Sequence, residues 1–335
     1  MKREGEKGAT ASAITRDLRA DRLRVGIPML AVATIFLFTL LLQTCLDTLV
    51  FALAPTWREA AWYPWVLSMA PMYVAAMPFS LLIYRMVPGE PPKKRDVDIP
   101  TLLGLLAICF ALTYVGNLMG IVINGVIGTV TGHTPENPLS GTATAAPFWS
   151  NLLFLGILAP IMEEIFYRKM VLDRIGRYGD LPAILISGTV FGLVHGNFSQ
   201  FFYAASIGML LGYVYLKTGK LRYTVALHMG VNLIGGVYST EMLRRIEAMG
   251  EGGEFLLPLL RNLGVIPMMA FYLLFLCSVV VGAPVAIRAL WKRVRLCRAE
   301  NPLRGGEWVR VLLFNPLVWM LAMVIVLLFL TALAA

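Results

Sequence analysis

Val25–Leu53 reads VGIPMLAVATIFLFTLLLQTCLDTLVFAL, and Asp47 is its single charged residue. A bilayer's hydrocarbon core needs roughly 20 consecutive apolar residues in a helix, and this run exceeds that. Comparable runs recur to the C-terminus. We predict helices over 25–53, 60–87, 100–130, 147–172, 181–198, 200–217, 221–242, 263–290 and 309–333. Of the 335 residues, 58% are hydrophobic and 15% charged, too little charge for a water-soluble domain of this size. The alternation of a membrane barrel is absent. The expected fold is therefore all-α, a polytopic transmembrane bundle of about eight or nine spans. The simplest partition is a basic tail at 1–24 followed by one membrane domain at 25–335. The tail is polar, and the run after it is too long for the apolar core of a cleavable signal.

The net charge is +9. Its placement argues against nucleic acid as a partner, because the cations sit in short loops beside apolar runs, where they set membrane orientation. Lys93, Lys94 and Arg95 form one such loop, and Lys169, Arg174 and Arg177 a second. Lys217, Lys220 and Arg222 form a third, and Arg288–Arg310 is the richest. The loop 131–146 has no Lys or Arg. These loops alternate from a cytoplasmic N-terminus, so the expectation is an integral protein of the plasma membrane. Arg16, Arg19, Arg22 and Arg24 would lean on anionic lipid headgroups. One loop conflicts: 243–262 holds Arg244, Arg245 and Arg261 yet falls outside, and a half-buried interfacial helix there would account for it. The four cysteines, Cys45, Cys109, Cys277 and Cys297, fit neither a disulfide framework nor a CxxC metal site.

Ionisable groups inside a membrane are costly, so those present are functional candidates. They concentrate in EEIFYR (Glu163–Arg168), FGLVH (Phe191–His195) and HMGVN (His228–Asn232), which hold two of the three histidines. Glu164 and Arg168, four apart, can pair along one helix face, leaving Glu163 to face elsewhere. Phe191 with His195, and His228 with Asn232, share faces in the same way. Glu163 and His195 lie equally far from Gly179, so a hairpin turning there sets them level. His228 lies seven residues past Leu221, about 10 Å deep from the same end. A carboxylate and an imidazole together can take a proton from water, and an imidazole with an amide can hold an oxyanion. Glu163, His195 and His228 also compose a His₂Glu set, the composition of many catalytic zinc sites, although HExxH is absent. Both chemistries stay open on this evidence. A proton-relay transporter would show repeat symmetry and polar residues at every depth, and neither is found.

The motifs EExxxR, FxxxH and HxxxN, in this order on successive membrane helices, resemble the CPBP family of CAAX proteases and bacteriocin-processing proteins. That family includes the type II CAAX prenyl endopeptidases. The similar core runs from about 147 to 240. The resemblance implies an intramembrane endopeptidase acting on a protein or peptide near the cytoplasmic face, in which Glu163 and His195 activate water. It further implies that His228 and Asn232 form the oxyanion site, with about eight spans in the core. Both a metalloprotease and a metal-free glutamate mechanism are described for the family. A non-catalytic scaffold or bacteriocin-immunity protein would share the motifs by ancestry.

Four smaller expectations complete the reading. Gly116/Gly120 and Gly208/Gly212 have the spacing of close helix packing. Asn117 and Asn124 are expected to bond between helices. Asp47 lies within a span and is not assigned to the site. Asn197-Phe198-Ser199 matches a glycosylation sequon but falls at a tight turn.

Overall fold

The computed structural model describes residues 18–135, 137–247, 264–299 and 302–334. Arg16, Glu251, Glu254 and Arg261 lie outside the described residues. Every regular element among the described residues is helical. In chain order they are α1 (Leu18–Leu53), α2 (Tyr63–Tyr84), α3 (Ile99–Thr131), the short α4 (Pro138–Ala145) and α5 (Phe148–Tyr178). There follow α6 (Asp180–Leu193), α7 (Phe198–Thr218), α8 (221–247), α9 (Val265–Trp291), the short α10 (Gly305–Leu312) and α11 (Pro316–Ala334). Each of the nine predicted helices has a counterpart. Six are long and apolar enough to cross a membrane: α1, α2, α3, α5, α9 and α11. The remaining three are the shorter α6, and α7 and α8.

α7 is the central element, packed against α3, α5, α6 and α8. Small residues let it approach closely. A Cβ on Gly116 would lie 2.4 Å from the Tyr203 Cα, and one on Gly120 would lie 2.7 Å from the Phe198 carbonyl oxygen. Between α6 and α7, Gly188 and Gly208 face each other: a Cβ on Gly208 would come within 3.1 Å of the Gly188 Cα and 2.9 Å of the Phe191 ring. The spacing of these glycines is therefore a packing device, and it places Phe191.

Three polar residues outside the three motifs find side-chain partners. Asn124 donates to the Ser199 hydroxyl at 2.8 Å, joining α3 to α7. Asp47 accepts from the Tyr63 hydroxyl at 2.8 Å and from Arg58 at 3.1 Å, which ties α1 to the start of α2. Buried Asn197 caps α7, accepting from the Gln200 amide at 2.9 Å and donating to the His195 carbonyl at 2.8 Å. Such an amide is not available for glycosylation.

The four basic loops meet at one end of the bundle, where α1 also begins. The Arg95 amide donates to the Thr218 carbonyl at 2.8 Å. Asp96 accepts from Lys220 and the Tyr223 hydroxyl, each at 2.6 Å, and from Arg222. Glu90 pairs with Arg177 at 3.3 Å and with Arg24 at 3.4 Å. The α5–α6 turn, with Gly179 at φ +104°, is clasped by the segment after α9, whose Cys297 carbonyl accepts from the Asp180 amide at 3.0 Å. The same-side grouping read from the loops is thus a property of the fold. In the conflicting loop, α8 runs to Glu247, and one carboxylate, Glu241, takes both Arg244 and Arg245.

The α6–α7 crossing yields a test. In Gly188→Val the new Cβ would sit 2.7 Å from the Met209 backbone nitrogen, which cannot swing away. Thermal unfolding in detergent, followed by circular dichroism, should show a loss of about 1–3 kcal/mol. Gly125→Ala, which meets nothing within 4 Å, should melt like wild type. Equal melting of all three proteins would contradict this packing.

Candidate active site

α5 is not a uniform helix. It widens into π turns over Asn151–Leu158 and Glu164–Leu172, on either side of Ala159–Glu163. Pro160 has no N–H to give its preceding turn, which favours such a departure from the α ladder. The EEIFYR motif therefore straddles an α-to-π junction. Glu164 and Arg168 are both fully buried, with Nε donating to Oε2 at 3.0 Å. The Phe191 ring centre lies 4.9 Å from the guanidinium carbon, a cation–π contact that helps hold a charge stripped of water. Arg168 Nη1 also reaches the Ser187 hydroxyl at 3.4 Å, and that hydroxyl donates to the Tyr167 carbonyl at 2.9 Å.

The second oxygen of Glu164 binds α8. His228 Nδ1 lies 3.0 Å from Oε1, and an ionised carboxylate only accepts, so the proton is on Nδ1. Its other nitrogen, Nε2, faces Glu163 Oε2 at 3.6 Å. One imidazole thus stands between two adjacent carboxylates, one fully buried and the other with 23% of its side chain exposed. Phe191 separates the two histidines, its ring centre 5.1 Å from that of His195 and 5.7 Å from that of His228, nearly perpendicular to both. His195 Nδ1 lies 2.7 Å from the Phe191 carbonyl oxygen. A carbonyl cannot donate, so Nδ1 carries the hydrogen and the Nε2 of neutral His195 keeps its lone pair.

The structure thus gathers Glu163, Glu164, Arg168, Phe191, His195 and His228. Asn232 keeps the backbone bond to the His228 carbonyl one turn before it and begins the π turns that run to Tyr238, and its side-chain amide donates to the Leu155 carbonyl at 3.0 Å. Two supporting residues were missed in the sequence. Buried Ser187 and Thr224 stand four residues before Phe191 and His228, one turn along each motif's own face, and that spacing was the available signal.

No three His, Cys, Asp or Glu side chains converge on a metal-sized position among the described residues. Of Glu163, His195 and His228, the His228 ring turns Nε2 toward Glu163 at 3.6 Å and holds Nδ1 on Glu164.

The buried pair yields a stability prediction. Arg168→Met leaves Glu164 charged in an apolar interior, and breaking a buried pair on one side costs about 3–5 kcal/mol. Adding Glu164→Gln removes that stranded charge and should recover part of the loss in thermal melts. A double variant less stable than Arg168→Met would refute the pairing.

Comparisons with known proteins bear on the same segment. Residues 145–234 match the family model described as type II CAAX prenyl endopeptidase Rce1-like. The UPF0177 protein YxdF of Lactococcus lactis subsp. lactis (strain IL1403) is 28% identical over 145 residues, 42% of this chain and 79% of that protein. "Putative membrane peptidase YdiL" of Bacillus subtilis (strain 168) is 24% identical over 181 residues, 51% of this chain and 71% of that protein. No solved structure matches. The helices that carry all three motifs therefore match the Rce1-like, type II CAAX prenyl endopeptidase family of membrane proteases.

Proposed function

We propose that this chain is an intramembrane endopeptidase that hydrolyses a peptide bond of a protein or peptide substrate near its basic, cytoplasmic end. The observation that carries the reading is the His228 imidazole held between Glu163 and Glu164, with His195 across Phe191. A prenylated CAAX protein is the substrate class that the family name suggests. The gathering of the basic loops and the start of α1 at one end supports a plasma-membrane protein with its N-terminus in the cytoplasm. The catalytic core is the segment from about 147 to 240 within a single membrane domain.

Each step uses side chains of this chain. Glu163, the partly exposed carboxylate, takes a proton from water while the lone pair of His195 Nε2 orients it. The hydroxide oxygen adds to the scissile carbonyl. The C–N bond then breaks as Glu163 returns the proton to the leaving nitrogen. Glu164 acts through His228, fixing the proton on Nδ1 and the ring's direction. With a hydrogen on Nε2, His228 can donate to the oxyanion. Asn232 has one amide hydrogen on Leu155 and a second left for substrate.

Purified full-length protein in liposomes, given a prenylated CAAX peptide alongside a peptide library, tests this. Glu163→Gln, His195→Ala and His228→Ala should each lower turnover by about 10²–10⁴ while melting as folded proteins. Wild-type turnover by Glu163→Gln would overturn Glu163 as the base, whereas no turnover by the wild type, with partner binding kept in Glu163→Gln, would instead support a scaffold or immunity role. Because the donors do not converge on an ion position, chelator dialysis should leave turnover unchanged. Loss of activity that zinc restores would show that Glu163, His195 and His228 rearrange into a metal site.

A further inference from the structure

A groove of about 520 Å³ opens between α3, α7 and α9 at the basic end of the bundle. Leu105, Ile108, Leu210, Tyr213, Ile287 and Leu290 form its apolar walls, and the charged residues lining it are Lys217 and Arg293. At its mouth α9 ends and the chain continues as WKRVRLCR, residues 291–298, all exposed. Trp291 is 75% exposed, and Val294 and Leu296 are exposed between the cations. Among the described residues no carboxylate forms an ion pair with Lys292, Arg293, Arg295 or Arg298. Asp98 feels the field of Arg293 but uses its carboxylate to cap α3 at the Thr101 amide, at 3.1 Å. The segment is also tied down. The Cys297 amide donates to Asp180 at 2.6 Å and its carbonyl accepts from the Asp180 amide at 3.0 Å.

Unpaired cations interleaved with apolar side chains, beside an aromatic residue at a helix end, suit the headgroup layer of a membrane. A preformed apolar groove opening beside them suits a hydrocarbon chain. We propose that this surface binds one anionic glycerophospholipid, with an acyl chain along the α3–α7–α9 groove and the phosphodiester on Arg293 and Arg295. Charge complementarity selects this occupant: the local excess of cations matches a phosphodiester among like headgroups better than a prenylated peptide with one terminal carboxylate. Position agrees. The groove is backed by the buried cluster of Leu105, Cys109, Leu211, Val214 and Leu227, so it does not open onto Glu163 or His228. Because the segment is held by Asp180 before any lipid arrives, little ordering is required on binding.

The test is native mass spectrometry of the full chain released from zwitterionic micelles. Dioleoylphosphatidylglycerol should be retained over dioleoylphosphatidylcholine by about tenfold or more, given the worth of each cation near an anionic headgroup. Arg293→Gln with Arg295→Gln, both solvent-exposed changes, should bring the two lipids to parity without shifting the melting temperature. Leu210→Trp, which fills the groove and leaves the cations in place, should weaken retention of both lipids. Equal retention by the wild type, or an unchanged preference in the double variant, would overturn the proposal. So would displacement by inorganic phosphate, which would mark a simple anion site, or by a prenylated cysteine ester, which would make the groove a substrate subsite.

Discussion

The Glu164–Arg168 ion pair is the constraint on which the arrangement of the core depends. Both members are wholly buried, so each charge must be met by neighbours rather than by water. Arg168 is met by Glu164, by Ser187 and by the face of Phe191. Glu164 is met in turn by His228. Three helices are therefore joined by polar contacts that tolerate little displacement, and the geometry around the exposed neighbour, Glu163, follows from them. One carboxylate is wholly enclosed by its partners, while the adjacent one keeps part of its side chain exposed.

Glycine makes this arrangement sterically possible. The crossing of α6 over α7 at Gly188 and Gly208 sets the Phe191 ring between the imidazoles: a Cβ at Gly208 would meet that ring at 2.9 Å, and one at Gly188 would meet the Met209 backbone nitrogen at 2.7 Å. Phe191 then acts in three contacts at once: it faces the Arg168 guanidinium, and its ring meets both His195 and His228 edge-on. Its backbone carbonyl sets the tautomer of His195 as well. The FxxxH spacing thus has a physical basis, since the residue one turn before the histidine supplies both its wall and its hydrogen-bond acceptor.

At the basic end, the loops are not free tethers. Asp96, Asp180 and Glu90 each receive cations or amides from a different part of the chain, so the connections between helices form a laced cap. The segment after α9 belongs to that cap through Cys297, yet among the described residues no carboxylate pairs with its cations. Its order and its surplus charge have separate origins: backbone bonds to Asp180 hold it, and its side chains remain turned outward.

Much of the fold could be read along the chain. Long apolar runs forced helices, the lone Asp47 stood out within a span, and the crowding of Lys and Arg into alternate loops grouped one end. The Glu164–Arg168 pair followed from a spacing of four, and the convergence of Glu163, His195 and His228 followed from equal depths. Helix periodicity could not disclose the two π turns of α5 or the one that begins at Asn232, because they arise where proline and packing disturb the hydrogen-bond ladder. Nor could it show that the Asn232 amide bonds to the Leu155 carbonyl, or that His228 stands between two carboxylates. Sequence by itself determined which groups must leave water, through composition and period. Only the tertiary structure decided which buried group satisfies which, because that choice depends on distances of a few tenths of an ångström between helices far apart in the chain.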